Sequence, residues 1–185
     1  MTAPLRSVKL KEKDNSMSFF ACVDIEAYEH SKSKILEVGI SIVDLEEETI
    51  STRHFIVEEN MSFRNGKYVA DNRDNFSYGL SEVVSQKDLV AYLDIVISVS
   101  EGIVGHALSN DTKYLHNLGV TEHNDAQKYD TQTVAKEFFK NQRTLEAVFE
   151  HYCGDKEVLF HNAGNDSHAT AMVFLAQHAK SLIKL

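Results

Sequence analysis

Residues 19–26 read Phe19-Phe20-Ala21-Cys22-Val23-Asp24-Ile25-Glu26, an apolar run that ends in two carboxylates one residue apart. An apolar run of this length, with aromatic and β-branched residues, predicts a buried strand. Because residues i and i+2 of a strand point to the same side, Asp24 and Glu26 are expected side by side. Neighbouring anions repel each other and lose hydration, a cost that a divalent cation would offset. On this stretch alone, two exposed acids leaving the end of a strand are the simpler interpretation.

The length and composition of the chain bound its class. It has 185 residues, of which 43% are hydrophobic and 25% are charged. These values are typical of one soluble globular domain, here residues 18–185, with two small domains as the less favoured division. The chain has no apolar run of about 18 residues, so no membrane span is expected. Cys22 and Cys153 lie in apolar surroundings and are expected to be reduced core residues of an intracellular protein.

Residues 1–17 are polar and basic, and we expect a flexible tail there. A weak mitochondrial targeting arm is the alternative, although Pro4, Glu12 and Asp14 do not suit one. The expected compartment is therefore the cytoplasm or the nucleus, with the mitochondrion as a further option. The net charge of −9 argues against a protein that coats nucleic acid through bulk charge. It does not exclude an enzyme that holds a nucleic-acid end through metal ions.

The order of the predicted elements indicates the fold class. Strands are predicted at residues 19–26, 35–44, 49–58, 103–106 and 128–130. Helices are predicted at residues 81–98, 111–118, 131–139, 143–152 and 165–182. The first three strands follow one another, with a polar turn at residues 27–34 and a hairpin tip at residues 46–48, which favours an antiparallel meander. The sequence therefore predicts an α/β fold with a mixed sheet, three antiparallel strands followed by parallel ones, and helices on both faces.

Residues 60–79 show little periodicity but interleave basic and aromatic side chains. Asn65-Gly66 predicts a turn, and its flanking residues are able to form a small hairpin. A loop of this composition suits contact with a single nucleic-acid strand by charge and stacking. Packing of the aromatic residues on the domain, as a surface excursion, fits the sequence equally well.

A second acidic candidate is Asp111, in the first turn of a helix that directly follows a predicted strand. The carboxyl ends of strands and the starts of the following helices line the ligand crevice of open α/β sheets. Asp is also common in a first helical turn because it complements the helix dipole. At this position alone, the second explanation is sufficient.

A third candidate pair is His161 and Asp166, at the start of the last predicted helix. Asp166 shares a helical stripe with Ala169, Thr170 and Val173, because residues i, i+3, i+4 and i+7 lie on one face. A carboxylate that points inward needs a partner, since its ionised form is costly in an apolar environment. His161 lies on the loop just ahead, close enough to act at the same site. An N-cap Asp beside a surface His is the alternative.

Together, these residues resemble the motifs of the DEDDh 3′–5′ exonucleases, a family of the ribonuclease H-like superfamily. Residues 24–26 are similar to the first motif, Asp-x-Glu, and residues 105–111 to the second, which supplies one Asp at a helix start. Residues 161–166 are similar to the third motif, His-x-x-x-x-Asp. All five motif positions are filled in the family's order, and the resemblance spans residues 18–182. The site residues that it implies are Asp24, Glu26, Asp111, His161 and Asp166.

Within that family, the segments at residues 24–29 and 161–166 are similar to a fungal branch described as "good for full DEAD-box helicase activity" proteins. The chain departs from better-known DEDDh enzymes just after Glu26, where those often carry Thr-Thr-Gly-Leu against the 3′-terminal nucleotide. This chain has Ala27 and Tyr28 at that point, and Tyr28 is a candidate to stack on the terminal base.

The resemblance implies a metal-dependent 3′–5′ exonuclease that releases nucleotides from the 3′ end of RNA, single-stranded DNA or both. Two Mg²⁺ or Mn²⁺ ions would clamp the attacking and leaving oxygens, and carboxylate ligands suit these ions better than zinc. By the family pattern, Asp24, Glu26 and Asp166 hold the metal that binds the attacking water. Asp24 also bridges to a second metal, which Asp111 holds partly through water. His161 is the implied general base, since an imidazole titrates near neutral pH.

Further binding residues and partners are less determined. His106 and Asn110 are candidates to touch the terminal sugar or phosphate, or else they cap the local helix. Lys140 and Arg143 precede a predicted helix and either meet a phosphate or form a solvated face. Homodimers are common in the broader group, but the sequence carries no clear mark of a homodimer.

Two other functions stay open on the sequence. One is a non-catalytic nucleic-acid-binding or scaffold protein with a ribonuclease H-like fold, which the acidic balance and the unusual Ala27-Tyr28 motivate. The four converging carboxylates argue against it, because an idle site has no need of them. The other is a different ribonuclease H-like nuclease that cuts internally.

Overall fold

A computed structural model describes residues 19–121, 125–141, 143–154, 157–180 and 183. Within these residues the strands are β1 (Phe19–Tyr28), β2 (Ser31–Asp44), β3 (Thr49–Val57), β4 (Glu82–Val84), β5 (Gly102–Gly105) and β6 (Gln127–Asp130). The helices are α1 (Gln86–Ser98), α2 (Ser109–Leu118), α3 (Thr131–Ala135), α4 (Leu145–Cys153) and α5 (Ala163–Ala179), with a 3-10 turn at Glu58–Asn60. The tail predicted for residues 1–17 lies outside the described residues.

The six strands form one mixed sheet in the order β4-β3-β2-β1-β5-β6. β1, β2 and β3 pair antiparallel as a meander, whereas β5 pairs parallel with β1 and β6 pairs parallel with β5. The predicted α/β fold, with three antiparallel strands followed by parallel ones, is confirmed. Because β1, β5 and β6 run in the same direction, their carboxyl ends lie at one edge of the sheet, where open α/β sheets bind ligands.

The first hairpin is longer than the sequence predicts. β1 continues through Tyr28 and β2 begins at Ser31, so the turn is residues 29–30 rather than residues 27–34. The polar residues after Tyr28 resemble a loop in composition, but they continue the hairpin instead. Register shifts on both sides of Ala27 place a bulge directly after Glu26. Bulges re-aim side chains and are common beside active sites.

The first helix begins later than the sequence predicts. Residues 82–84 form β4, a parallel edge strand beside β3, and α1 starts only at Gln86. The N-cap is Ser85 rather than Ser81, because the Ser85 side chain accepts a hydrogen bond from the backbone N–H of Asp88. The other helices agree with the predicted ones to within a few residues, except that α3 ends at Ala135.

Helices cover both faces of the sheet, as predicted. On one face, side chains of α1 and α2 such as Leu89, Leu93 and Leu115 pack with alternate residues of β1 and β2. On the other face, Phe174 of α5 packs in one cluster with Phe20, Cys22 and Val104 of the strands. Helix α4 packs on α5. Burial of one such side chain stabilises the fold by about 1.5–3 kcal/mol. Neither cysteine forms a disulfide bond, and Cys22 is buried whereas Cys153 is half-buried. No helix among the described residues is long and apolar enough to cross a membrane.

Gly39 sets how closely α5 approaches the sheet. It pairs with Asp24 across β1 and β2. A Cβ atom at Gly39 would overlap the backbone carbonyl of Ala163 and lie 2.6 Å from the backbone nitrogen of Gly164. The first turn of α5 therefore rests directly on the β2 backbone opposite Asp24, which brings Asp166 to the end of β1.

Candidate active site

Three elements bring the four predicted carboxylates together. β1 carries Asp24 and Glu26, the first turn of α2 carries Asp111, and the first turn of α5 carries Asp166. Burial, followed by repulsion from Asp166 and Asp111, raises the pKa of Asp24 well above its usual range. The four groups therefore lie close enough to disfavour one another's ionised forms.

Asp111 is tied to the strand that carries the first two acids. Its Oδ1 accepts a hydrogen bond from the backbone N–H of Ile25 at 3.2 Å. The side chain of Ile25 is buried in the core cluster that α1 and α2 cover. Burial raises the pKa of Asp111 to about 8, although this hydrogen bond to Ile25 opposes the shift. The hydrogen bond between β1 and α2 thus positions the Asp111 carboxyl group but does not offset the cost of burying its charged form.

His161 and Asp166 complete the site from the other side. One ligand atom from each of Glu26, His161 and Asp166 lies within 4.8 Å of the others. The backbone N–H of His161 donates to Oδ2 of Asp166 at 3.0 Å, and His161 adopts a left-handed conformation with φ of 62°. Oδ1 of Asp166 is buried and has no hydrogen-bond partner among the described residues. An unpartnered carboxylate oxygen beside further carboxylates fits a divalent cation that prefers oxygen ligands.

The pKa shifts of the acids on this side have the same origin. Burial is the first cause that raises the pKa of Glu26, to about 7, and repulsion from Glu37 adds to it. Burial, followed by repulsion from Glu26, raises the pKa of Asp166 well above its usual range. A bound cation would favour the ionised forms of these carboxylates and so counter their mutual repulsion.

Sequence reasoning missed a fifth acid, Glu37, which pairs with Glu26 across β1 and β2. Its buried Oε2 lies within hydrogen-bond distance of His54 Nε2, at 2.9 Å, and accepts a hydrogen bond from the backbone N–H of Ala163 at 3.4 Å. The other ring nitrogen of His54 lies 2.8 Å from the Ser81 hydroxyl. A single charged residue within an apolar strand was the signal that could have revealed this buried pair.

Residues 61–79 form a loop that is fastened to the end of β1. The Glu29 carboxylate accepts hydrogen bonds from the backbone N–H groups of Lys67, Tyr68 and Val69. The Asn65 side chain accepts from the backbone N–H of Glu29 and donates to the backbone carbonyl of Ala27. The small hairpin predicted around residues 65–66 does not form, because none of the described residues in this loop pairs as a strand.

The same loop is also fastened to the start of α5. Asn72 donates to the backbone carbonyl of Phe160 at 2.6 Å, and Asn162 donates to the backbone carbonyls of Asn72 and Arg73. The loop therefore spans from the Glu26 side of the site to the Asp166 side. Of its aromatic residues, Phe76 packs on His54, as the packing alternative predicts, whereas Tyr68 is 70% exposed, and contact with a nucleic-acid strand stays a prediction.

The predicted substrate-binding residues occupy different environments. Ala27 is buried, and the Tyr28 ring lies 5.2 Å from the ring of Phe63 between centroids. His106 uses both ring nitrogens within the protein, at 3.0 Å from the Thr131 hydroxyl and 3.0 Å from the backbone carbonyl of Arg143.

The expected caps of α2 do not form. The N-cap position is Leu108, with no side-chain hydrogen bond, and Asn110 is exposed in the first turn. Neither His106 nor Asn110 therefore caps α2. The Asn110 side chain does not cap the helix, and Asn110 lies directly before Asp111 in the chain.

Comparisons with known proteins agree with this geometry. Residues 19–177 match the family DEDDh_C, described as "DNA polymerase III subunit epsilon-like, C-terminal domain". A Schizosaccharomyces pombe protein named "Uncharacterized nucleolar protein C2C4.08" is 28% identical over 173 residues, which cover 89% of this chain and 70% of that protein. The Saccharomyces cerevisiae protein named "Good for full DBP5 activity protein 2" is 26% identical over 209 residues, which cover 92% of this chain but 37% of that protein.

Solved structures share the same arrangement of strands and helices. A structure described as "crystal structure of full-length 3'-exonuclease" superposes with a TM-score of 0.63 at 11% identity, covering 90% of this chain and 62% of that chain. A structure described as "Structure of S. pombe Pop2p - Mg2+ and Mn2+ bound form" gives a TM-score of 0.57 at 14% identity, covering 87% and 83%. At these identities the likeness is one of fold.

Proposed function

This chain belongs to the DEDDh exonuclease family, and on that premise we propose that it is a divalent-metal-dependent 3′–5′ exonuclease acting on RNA, single-stranded DNA or both. The observation that carries the proposal is the convergence of four carboxylates at the end of β1, with one buried oxygen of Asp166 left without a partner among the described residues. Buried like charges destabilise a fold unless a cation is bound among them. Groups with strongly shifted pKa values also cluster at functional sites.

Two Mg²⁺ or Mn²⁺ ions would be held by Asp24, Glu26, Asp111 and Asp166. When bound, such ions neutralise charge on the scissile phosphate and make a water molecule nucleophilic. The oxygen-only character of the four ligands supports this choice of ion. The Pop2p structure, which shares this fold and is described as a form with bound Mg²⁺ and Mn²⁺, supports it as well.

His161 is the proposed general base. Its side chain is exposed at the site, and a ring nitrogen lies within 4.8 Å of carboxylate oxygens of Glu26 and Asp166. An imidazole in that place can take a proton from the attacking water. The hydrogen bond from the His161 backbone to Asp166 fixes the loop that presents the ring, so the base and the carboxylate are oriented together.

The terminal nucleotide is proposed to lie beyond Glu26, where β1 has a bulge and the loop of residues 61–79 is hydrogen-bonded to Ala27 and Glu29. Tyr28 and Phe63 offer an aromatic surface there, and the Lys34 ammonium lies 3.5 Å from the centroid of the Phe63 ring. Stacking on aromatic rings tolerates any base and suits an exonuclease. Ala27 itself is buried in the core cluster that α1 and α2 cover.

Two further residues complete the proposed contacts. Asn110 is exposed in the first turn of α2, next to Asp111, and is proposed to meet the terminal sugar or phosphate. His106 is given a positioning role instead, because both of its ring nitrogens bind within the protein.

A nuclear location is part of the proposal, because the relative from Schizosaccharomyces pombe is named as a nucleolar protein. Microscopy of the full chain fused to a fluorescent protein would check it. Signal confined to mitochondria would contradict the nuclear location and favour the targeting arm considered for residues 1–17.

The direct test is incubation of 5′-labelled RNA and DNA strands with Mg²⁺ or Mn²⁺. A ladder of shortened products is expected from the wild-type protein and none from the Asp24→Ala variant. Glu47→Ala removes the same charge at an exposed hairpin tip and should leave the ladder unchanged. An equal ladder from Asp24→Ala, or no ladder from any substrate, would overturn the proposal.

Two additional substrates separate the alternatives. A circular single strand can be opened only by a nuclease that cuts internally, so its persistence is expected here. Oligonucleotide binding that survives Asp166→Ala, without cleavage at any metal concentration, would instead indicate a non-catalytic nucleic-acid-binding protein.

A further inference from the structure

A cationic cleft lies between α3 and the start of α4. It has a volume of about 490 Å³. Its lining residues are Gln132, Lys136, Phe139, Lys140, Asn141 and Arg143. Half of these side chains are cationic, in a chain whose net charge is −9. A local excess of positive charge in an acidic protein indicates an anionic ligand rather than general charge balance.

Arg143 is the unusual member of this cleft. The residue is only 6% exposed, and its Nε and Nη2 atoms are buried without a hydrogen-bond partner among the described residues. Its guanidinium carbon lies 4.7 Å from the centroid of the Phe139 ring, which fixes the plane of the group by a cation–π contact. Two buried guanidinium nitrogens without an acceptor are costly, and the planar fork of a guanidinium matches a phosphate group through two parallel hydrogen bonds.

The cleft is joined to the strand that leads to Asp111. The backbone carbonyl of Arg143 accepts hydrogen bonds from the Gln132 side chain at 2.7 Å and from His106 Nε2 at 3.0 Å. His106 directly follows β5. Asp130, at the end of β6, caps α3 and contributes repulsion that raises the pKa of Asp111. The cleft therefore lies toward the same carboxyl edge of the sheet as the four carboxylates.

We propose that this cleft binds a phosphodiester group of the nucleic-acid strand outside the metal centre, with Arg143 as the buried anchor and Lys136 and Lys140 at its rim. The proposal rests on the proposed function for its choice of ligand. A free phosphate ion shares the same chemistry and is the competing source. The position of the cleft toward the same carboxyl edge of the sheet as the four carboxylates favours the phosphodiester.

The test measures binding separately from cleavage. Fluorescence anisotropy of a labelled single-stranded oligonucleotide is followed in EDTA over a series of salt concentrations, for wild type and Arg143→Gln. We expect the Kd of Arg143→Gln to rise by roughly 3- to 10-fold. The negative slope of the log association constant against log salt concentration should become shallower by about 0.7, the value for one phosphate contact on a single strand. Lys87→Gln, an exposed position on α1, removes the same charge elsewhere and should change neither quantity.

Further variants separate a loss of nucleic-acid binding from a loss of folding. Circular dichroism melting checks that Arg143→Gln is folded, and Arg143→Lys should retain part of the affinity as a point charge. If Arg143→Gln does not fold, the exposed rim variants Lys136→Gln and Lys140→Gln decide, each with a smaller loss of affinity and the same direction of slope change. Unchanged Kd and slope in the folded variants would overturn the proposal.

Two further measurements identify the ligand. Hydrolysis of the p-nitrophenyl ester of thymidine 5′-phosphate, which has no extended strand, should be equal in wild type and Arg143→Gln. Isothermal titration with inorganic phosphate tests the competing source. Binding of inorganic phosphate that requires Arg143, with oligonucleotide binding unaffected, would overturn the phosphodiester assignment. Arg143-dependent oligonucleotide binding by a chain that cleaves nothing would overturn the exonuclease proposal and leave this site standing.

Discussion

The backbone N–H of His161 donates to Oδ2 of Asp166 at 3.0 Å, while Oδ1 of the same carboxylate is buried with no partner among the described residues. One oxygen therefore orients the loop that carries the histidine, and the other is left for a cation. These two contributions of Asp166 can be separated by Asp166→Asn, because the amide keeps an oxygen that accepts the hydrogen bond and removes the negative charge.

Asp166→Asn should fold at least as stably as wild type when metal is absent, because it relieves the repulsion from Glu26 and retains an acceptor for His161. Asp166→Ala also loses the hydrogen bond, worth about 1 kcal/mol, so its Tm in EDTA should lie about 2–4 °C below that of Asp166→Asn. Thermal denaturation measures the difference, and both variants should lose at least about 100-fold in cleavage rate if the carboxylate holds a metal. Equal Tm values would show that the hydrogen bond contributes nothing.

Substitution of His161 tests its chemistry apart from its backbone conformation. Its φ of 62° is tolerated by Asn but strained for a β-branched residue. His161→Asn should therefore keep the wild-type Tm and lose about 10²–10⁴-fold in kcat, with little change in KM. His161→Val should lose activity to the same extent and stability as well. Steady-state kinetics with melting curves on both variants make the check, and near-normal kcat in His161→Asn would remove the residue from the role of base.

The acidic motifs were readable from the sequence because each follows from a local rule. Asp24 and Glu26 share a strand face by alternation, Asp111 begins a helix after a strand, and Asp166 lies on the inward stripe of the last helix. The structure brings all four together, whereas their assigned roles stay predictions. The α/β order was readable for the same reason, since it depends on which segments are strands or helices and not on their exact ends.

The features that sequence reasoning missed depend on register or on side-chain contacts with backbone. Glu37 and His54 meet only because Gly39 pairs with His54 across β2 and β3, which places them diagonally on one face. β4 is three residues long and is defined by its pairing with β3. The loop of residues 61–79 is held by asparagine side chains, and these leave no periodic pattern.

The pair formed by Glu37 and His54 should be important for stability because both groups are buried. Removing one partner leaves the other buried without its hydrogen bond, which costs about 1–3 kcal/mol, so Glu37→Gln and His54→Ala should each lower Tm by several degrees. Arg53→Gln, next to His54 in β3, breaks a half-exposed ion pair with Glu82 of β4 and should cost only about 0–1 kcal/mol. Urea denaturation of the three variants measures the difference. Equal losses would mean that burial of the Glu37 pair has no special cost.

Gly39→Ala should separate α5 from the sheet, because the new Cβ would overlap the Ala163 carbonyl. Overpacking against backbone costs about 1–3 kcal/mol or more, and displacement of Asp166 should reduce cleavage together with stability. Gly66→Ala is the comparison, since its Cβ meets nothing within 4 Å and only its positive φ is strained. Denaturation and cleavage assays on both variants are required. Wild-type cleavage by a folded Gly39→Ala protein would contradict the dependence of Asp166 on this contact.

The metal-free protein should lose stability as the pH rises from about 6.5 to about 8.5, the range that brackets the two raised pKa values. Burial raises the pKa of Glu26 to about 7 and that of Asp111 to about 8, so the folded state retains protons that the unfolded state has already released. The opposite contribution of His106, whose pKa is lowered by burial, levels off just above the unfolded-state pKa of about 6.5, so it is small in this range. Melting curves in EDTA should show Tm falling by several degrees, with a shallower fall in Asp111→Asn. Added Mg²⁺ should reverse the trend, because it binds the ionised carboxylates and stabilises the fold at high pH. A Tm in EDTA that rises with pH would contradict the raised pKa values.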